Sequence, residues 1–106
     1  MYRGTTPTNT FTTTIDLSEM SVIYISYKQR GEVKIEKTKE DITFTEETVD
    51  EATTYVMSVQ LSQEDTLALV DTPVEIQVRA KNSGGTAIAS EIIKVPVERI
   101  LKDGEI

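Results

Sequence analysis

Apolar and polar positions alternate with period two along most of this chain, the spacing of strands, whose successive side chains point to opposite faces. Val22 to Gln29 carries the pattern most strongly. Val22, Ile23, Tyr24, Ile25 and Tyr27 all favour β structure, and no helical stripe accounts for them better. Val74 to Lys81 sets Val74, Ile76, Val78 and Ala80 on one face and Glu75, Gln77, Arg79 and Lys81 on the other. Weaker alternations run through Phe11, Thr13 and Ile15, through Val33 and Ile35, through Ile42 and Phe44, and through Tyr55, Met57, Val59 and Leu61. Residues 86–97 read as one further strand with Ala89, Ile93, Val95 and Val97 inward. Pro96 has no N–H to donate, which places this strand at a sheet edge or a bulge.

Turn chemistry separates the strands. Asp16-Leu17-Ser18-Glu19, Arg30-Gly31 and Asn82-Ser83-Gly84-Gly85 each interrupt an apolar alternation, and Gly31 can take the positive φ of a tight hairpin. Ser62-Gln63-Glu64-Asp65 places an acidic residue three positions after a serine, the pattern of a capping box, and Leu67, Ala68 and Leu69 complete one short helical turn near residues 62–69. Residues 1–10, with Thr5, Thr6, Pro7, Thr8 and Thr10, read as an extended lead-in. The acidic stretch Glu46, Glu47, Asp50, Glu51 reads as an exposed loop. About seven short strands joined by tight turns predict an all-β chain, an antiparallel immunoglobulin-like β-sandwich, with a small barrel as the alternative. Residues 1–101 are expected to form this single domain and residues 102–106 a flexible C-terminal tail.

Composition then narrows the chemistry. At 106 residues and 38% hydrophobic content the chain accommodates one modest core. It holds no cysteine, which removes disulfides, thiolate metal sites and a thiol nucleophile. It holds no histidine, the usual general base and the commonest transition-metal ligand. A non-catalytic protein is therefore expected, with no catalytic, cofactor-binding or metal-ligating residues and with no binding residues assigned. Eleven Lys and Arg against eighteen Asp and Glu give a net charge of -7, which opposes binding to phosphate backbones or anionic membranes. Neither nucleic acid nor membrane is expected as a partner. Met1-Tyr2-Arg3-Gly4 opens into a polar threonine-rich segment instead of an apolar signal core.

Several clusters invite a functional reading, each beside a plainer one. Glu46, Glu47, Asp50 and Glu51 offer oxygen ligands to calcium but lack the Asp-x-Asp-x-Asp-Gly order of a dedicated loop. The same carboxylates could serve a glycoside hydrolase, yet no tryptophan is present to line a sugar cleft. Lys34, Lys37 and Lys39 are interleaved with Glu32, Glu36 and Glu40, which reads as a salt-bridged exposed strand instead of a phosphate site. Tyr24 and Tyr27 fall on opposite faces of a regular strand, one in the core and one available to a partner or sugar ring. Gly84-Gly85 lacks the lysine and helix start of a phosphate loop and reads as a turn. The threonine strand near the N-terminus belongs either to the edge of its own sheet or to pairing with a neighbouring chain.

Taken together, Arg3-Gly4-Thr5-Thr6-Pro7-Thr8, Tyr24-Ile25-Ser26-Tyr27-Lys28-Gln29, Leu61-Ser62-Gln63-Glu64-Asp65-Thr66-Leu67, Val74-Glu75-Ile76-Gln77-Val78-Arg79 and Ala87-Ile88-Ala89-Ser90 resemble small prophage-encoded proteins of Gram-positive bacteria. Their order is similar to the N-terminal domain of phage baseplate upper proteins. The resemblance implies an immunoglobulin-like sandwich with a structural role in the tail tip, other tail or baseplate proteins as partners, and a place in the virion or, failing that, in the bacterial cytoplasm; a homo-oligomer is the other partner considered, and the sequence leaves the oligomeric state open. A baseplate upper protein continues into a long stalk or helical region, whereas this chain ends at Ile106, so a free-standing module is expected. The matching positions look like core and turn positions, and none is carried over as a binding residue. The alternative function is a small carbohydrate-binding or adhesive module presenting Tyr24, Tyr27 or Tyr55.

Overall fold

The computed structural model describes residues 1–106. Its strands are β1 (Thr8–Thr13), β2 (Val22–Gln29), β3 (Glu32–Thr38), β4 (Ile42–Val49), β5 (Ala52–Gln60), β6 (Val74–Lys81), β7 (Ala87–Ala89) and β8 (Ile93–Val95), with a 3-10 turn at Lys39–Asp41 and a short helix α1 at Gln63–Leu67. All strand pairs within the sheets are antiparallel. One sheet runs β1-β5-β4, and the other runs β3-β2-β6-β7 with β8 also on β6.

With β1 to β6 labelled B, C, C′, D, E and F, and β7 with β8 as an interrupted G, the sheets read B-E-D and C′-C-F-G. That is the immunoglobulin order without strand A. The expected sandwich is therefore the observed fold. Its interior follows from the alternation: Ile23, Ile25 and Tyr27 of β2 and Val74, Ile76, Val78 and Ala80 of β6 meet Met57 and Val59 of β5. Leu17, Leu61, Leu69 and Val97 close the ends of this core.

No cysteine pair or tryptophan pins the two layers, and Tyr27 takes over that task. It lies on strand C, where immunoglobulin domains bury a tryptophan, is fully buried, and donates its hydroxyl to Asn9 Oδ1 of β1 in the opposite sheet at 2.6 Å. Burial, with the Asp65 charge adding to it, raises the phenol far above its ordinary pKa, so it remains the protonated donor this bond requires.

The capping box forms as the sequence predicts. Asp65 N–H donates to Ser62 Oγ at 3.0 Å, Ser62 N–H donates to Asp65 Oδ2 at 2.9 Å, and the same carboxylate oxygen holds Lys37 Nζ of β3 at 2.8 Å. Partial burial works to raise the Asp65 pKa, but the hydrogen bonds from Lys37 and Ser62 and the lysine charge outweigh it and hold the carboxyl below its ordinary value. A depressed folded-state pKa gives stability that is present above the unfolded value and lost as pH falls through the folded one. Asp65→Asn is expected to cost about 1 kcal/mol at neutral pH. Urea melts should show its gap from wild type closing between about pH 5 and about pH 2. A gap independent of pH would remove the charge from the explanation.

The lead-in is tied down along its length. Tyr2 makes a parallel bridge to Glu98, Arg3 donates to the Leu69 and Leu67 carbonyls at 2.6 and 3.0 Å, and Thr66 Oγ1 donates to the Thr5 carbonyl at 2.8 Å. Gly4 has φ of +70°, and a Cβ there would stand 2.9 Å from Ile100 Cδ1. At the other end, residues 102–106 are exposed and turn back over α1, where Ile106 N–H donates to Gln63 Oε1 at 2.9 Å.

Two expectations are corrected. Residues 86–97 do not form one strand. β7 and β8 occupy the same side of β6 but are separated at residues 90–92, because the Ser90 hydroxyl accepts the Val78 N–H at 3.0 Å and so replaces a backbone acceptor in the ladder. The break shifts the alternation, so that Ile88, opposite Ala80, packs against the core while Ala89, opposite Arg79, is exposed; Ile93 and Val95, opposite Ile76 and Val74, face inward as predicted, Ile93 remaining exposed there, and Val97 is buried as predicted. The acidic stretch is not a loop either: Glu46 and Glu47 lie in β4, paired with Tyr55 and Thr54. Residues 45–52 are exposed throughout and carry this hairpin beyond the sandwich, consistent with a radius of gyration of 15.0 Å against roughly 13 Å for a compact chain of this length.

Candidate functional site

The charged clusters resolve into separate local structures. Glu46 and Glu47 alternate across β4, while Asp50 and Glu51 form its two-residue turn with φ of 50° and 66°, a left-handed pair that usually takes Asn-Gly. No three His, Cys, Asp or Glu residues gather where they could hold one metal ion. Each lysine of the basic group is engaged differently. Lys34 pairs with Glu32 at 3.3 Å, Lys37 with Asp65 at 2.8 Å, and Lys39 donates to the Met20 carbonyl at 2.7 Å. The partner of Lys37 thus comes from α1 and not from the neighbouring glutamates.

Other perturbed carboxyls serve turns. The Ser18 hydroxyl and N–H bond Asp16 and lower its pKa, and the Thr38 hydroxyl lowers that of Glu40. Asn82-Ser83-Gly84-Gly85 is the hairpin turn expected of it: Gly85 has φ of +91°, and Asn82 accepts the Thr86 N–H through its side chain at 2.9 Å.

Two surfaces remain. The first is the outer face of the second sheet, where Tyr24, 44% exposed, lies directly opposite Arg79 on β6. Ser26, Glu36, Lys81 and Ala87 complete the walls of a shallow groove of about 360 Å³. Of the three tyrosines singled out in the sequence, Tyr24 alone lies on this groove; Tyr27 is core and Tyr55 is half-buried on β5.

The second surface is the open side of the sandwich, between β1 of one sheet and β7 and β8 of the other. Phe11, Ile15, Leu17, Val78, Ile88 and Ile93 line a mostly apolar cleft of about 340 Å³ there. Ile93, opposite the core residue Ile76 on β6, faces this cleft and is 47% exposed at it. Sequence reasoning missed this cleft, since its walls are more than 70 residues apart in the chain. The available signal was Ile15, an apolar residue beside the Asp16-Leu17-Ser18-Glu19 turn and beyond the end of β1.

No family model, curated protein or solved structure matches the chain. The site is therefore described by its own chemistry. The Tyr24 face offers an aromatic ring with a guanidinium and a carboxylate beside it, and the open side offers apolar surface beside the free outer edge of β1. No helix is long and apolar enough to cross a membrane.

Proposed function

We propose that this chain is a non-catalytic assembly protein that contributes a small sandwich to a phage or prophage tail or baseplate. The observation that carries the reading is the strand order: B-E-D against C′-C-F-G is the class of fold that the resemblance to baseplate upper proteins implies. The use of polar side chains supports it. Tyr27, Asn9, Gln29 and Asp65 hold sheets and loops together, as a scaffold requires, while the open side presents surface suited to another polypeptide. The experiment is negative-stain imaging of induced particles carrying a tagged copy. Label on tails or tail subassemblies is expected; label found only on free protein overturns the assignment.

The Tyr24 groove favours a second reading, a carbohydrate-binding or adhesive module, because an exposed ring flanked by Arg79 and Glu36 can stack on a sugar while polar groups meet its hydroxyls. Binding on a glycan array that is lost in Tyr24→Ala would support it. An array blank at high protein concentration rejects it.

A further inference from the structure

We propose that β1 is a self-pairing edge, through which two copies of this chain join their three-stranded sheets into one continuous sheet across a two-fold axis. This inference concerns the purified chain and stands or falls separately from the tail assignment.

The register of β1 decides which of its backbone groups are free. Leu61 N–H donates to the Pro7 carbonyl at 2.9 Å, and this pair continues the ladder in which Thr8 faces Gln60. Hydrogen-bonded and non-hydrogen-bonded pairs alternate along an antiparallel ladder. Asn9, Phe11 and Thr13 therefore bond to β5, and the N–H and C=O groups of Thr8, Thr10 and Thr12 point away from it. No other segment of the chain pairs with that edge, where an immunoglobulin sandwich would place strand A. The side chains of Thr8, Thr10 and Thr12 are exposed.

Every other sheet edge in the molecule carries a device that discourages pairing. β3 presents Glu32, Lys34, Glu36 and Lys37, and β4 presents Glu46 and Glu47. The β7 and β8 edge is broken at residues 90–92, bears Lys94, and is followed by Pro96. β1 is unbroken, residues 4–15 contain no charged side chain, and Pro7 just before it stands at a position that faces β5 and not the open edge. In a chain of net charge -7, this is the edge at which two copies meet without setting charges against their own images.

The strand is also complementary to itself. A two-fold axis at Thr10 places Thr10 opposite the partner's Thr10, Thr8 opposite the partner's Thr12, and Thr12 opposite the partner's Thr8. Each pair exchanges two backbone hydrogen bonds, with threonines facing threonines on the outer surface. On the inner surface the partner's Phe11 comes opposite Asn9 and extends over the apolar cleft between β1 and β7. The occupant of the edge is thus a second copy, which supplies both the hydrogen bonds and an apolar side chain for the cleft.

Sedimentation of the wild-type chain from about 1 μM to about 1 mM is expected to show a monomer–dimer equilibrium. Thr10→Lys, which sets two ammonium groups face to face while leaving the exposed side of the monomer intact, is expected to weaken the dimer by about tenfold or more at unchanged melting temperature. Thr10→Cys, the sole cysteine in the chain, is expected to form a disulfide dimer under mild oxidation, because Cα atoms of a hydrogen-bonded pair stand about 5.5 Å apart. Lys34→Cys on the guarded edge is expected to stay monomeric. The cysteine pair decides the matter even where the lysine variant fails to fold. A wild-type monomer throughout the range, a dimer indifferent to Thr10→Lys, or equal cross-linking from Lys34→Cys overturns the proposal and leaves the edge to a strand of another protein.

Discussion

Tyr27→Ala is expected to lose about 3–5 kcal/mol of stability, a large share of the roughly 5–15 kcal/mol available to a domain of this size. The ring is fully buried at the centre of the second sheet, between Ile35 of β3 and Ile76 of β6, and its removal leaves a cavity that surrounding strands cannot close without breaking their ladders. The hydroxyl adds the bond to Asn9 that joins the two sheets. Tyr27→Phe separates these contributions, since it keeps the ring and strands the Asn9 oxygen, at an expected cost of about 1–2 kcal/mol. Urea unfolding followed by circular dichroism measures both. A loss below about 1 kcal/mol for the alanine variant would contradict the central place given to this ring.

Gln29→Leu is expected to cost about 2–4 kcal/mol although it nearly conserves volume. Gln29 ends β2 with its side chain 1% exposed, and its amide is fully used. Nε2 donates to the Val70 and Thr72 carbonyls, each at 2.8 Å, and Oε1 accepts the Val70 N–H at 2.9 Å. A leucine cannot bond any of the three, so a buried donor and two acceptors lose their partner together. Hydrogen exchange at Val70 should accelerate along with the global destabilisation. Gln29→Glu provides a second reading of the same contacts: its carboxylate would face two carbonyls in a buried site, so its folded-state pKa is raised. That variant should therefore become more stable relative to wild type as pH falls through this raised value. A Gln29→Leu protein as stable as wild type would show that the loop after α1 satisfies its own backbone.

These two residues also mark how far the sequence can be followed. The alternation that puts Ile23, Ile25 and Tyr27 on one face of β2 puts Gln29 there as well, so its burial was legible; its partners in residues 70–72 were not, because they arrive from 41 or more positions away. Ser62 and Asp65 were legible as a cap, since both hydrogen bonds close within four residues. The additional bond that Lys37 donates to Asp65 depends on α1 lying beside β3. Charge misled the assignment of residues 46–51, because a hairpin that projects into water can place glutamates on both faces of its strands without burying any. The break between β7 and β8 was hidden for a different reason: Ser90 looks like any polar strand residue until its hydroxyl stands in for a carbonyl in the ladder.

The sequence by itself determined the all-β class, the central strands β2 and β6 with their apolar faces, the capped turn and the acidic character, because strand alternation, turn chemistry and capping are short-range consequences of stereochemistry. Only the tertiary structure decided which edges would be paired and which left open. Edge exposure depends on how strands distant in sequence are ordered within sheets, and the cleft beside β1 exists only where the margins of two sheets are brought together.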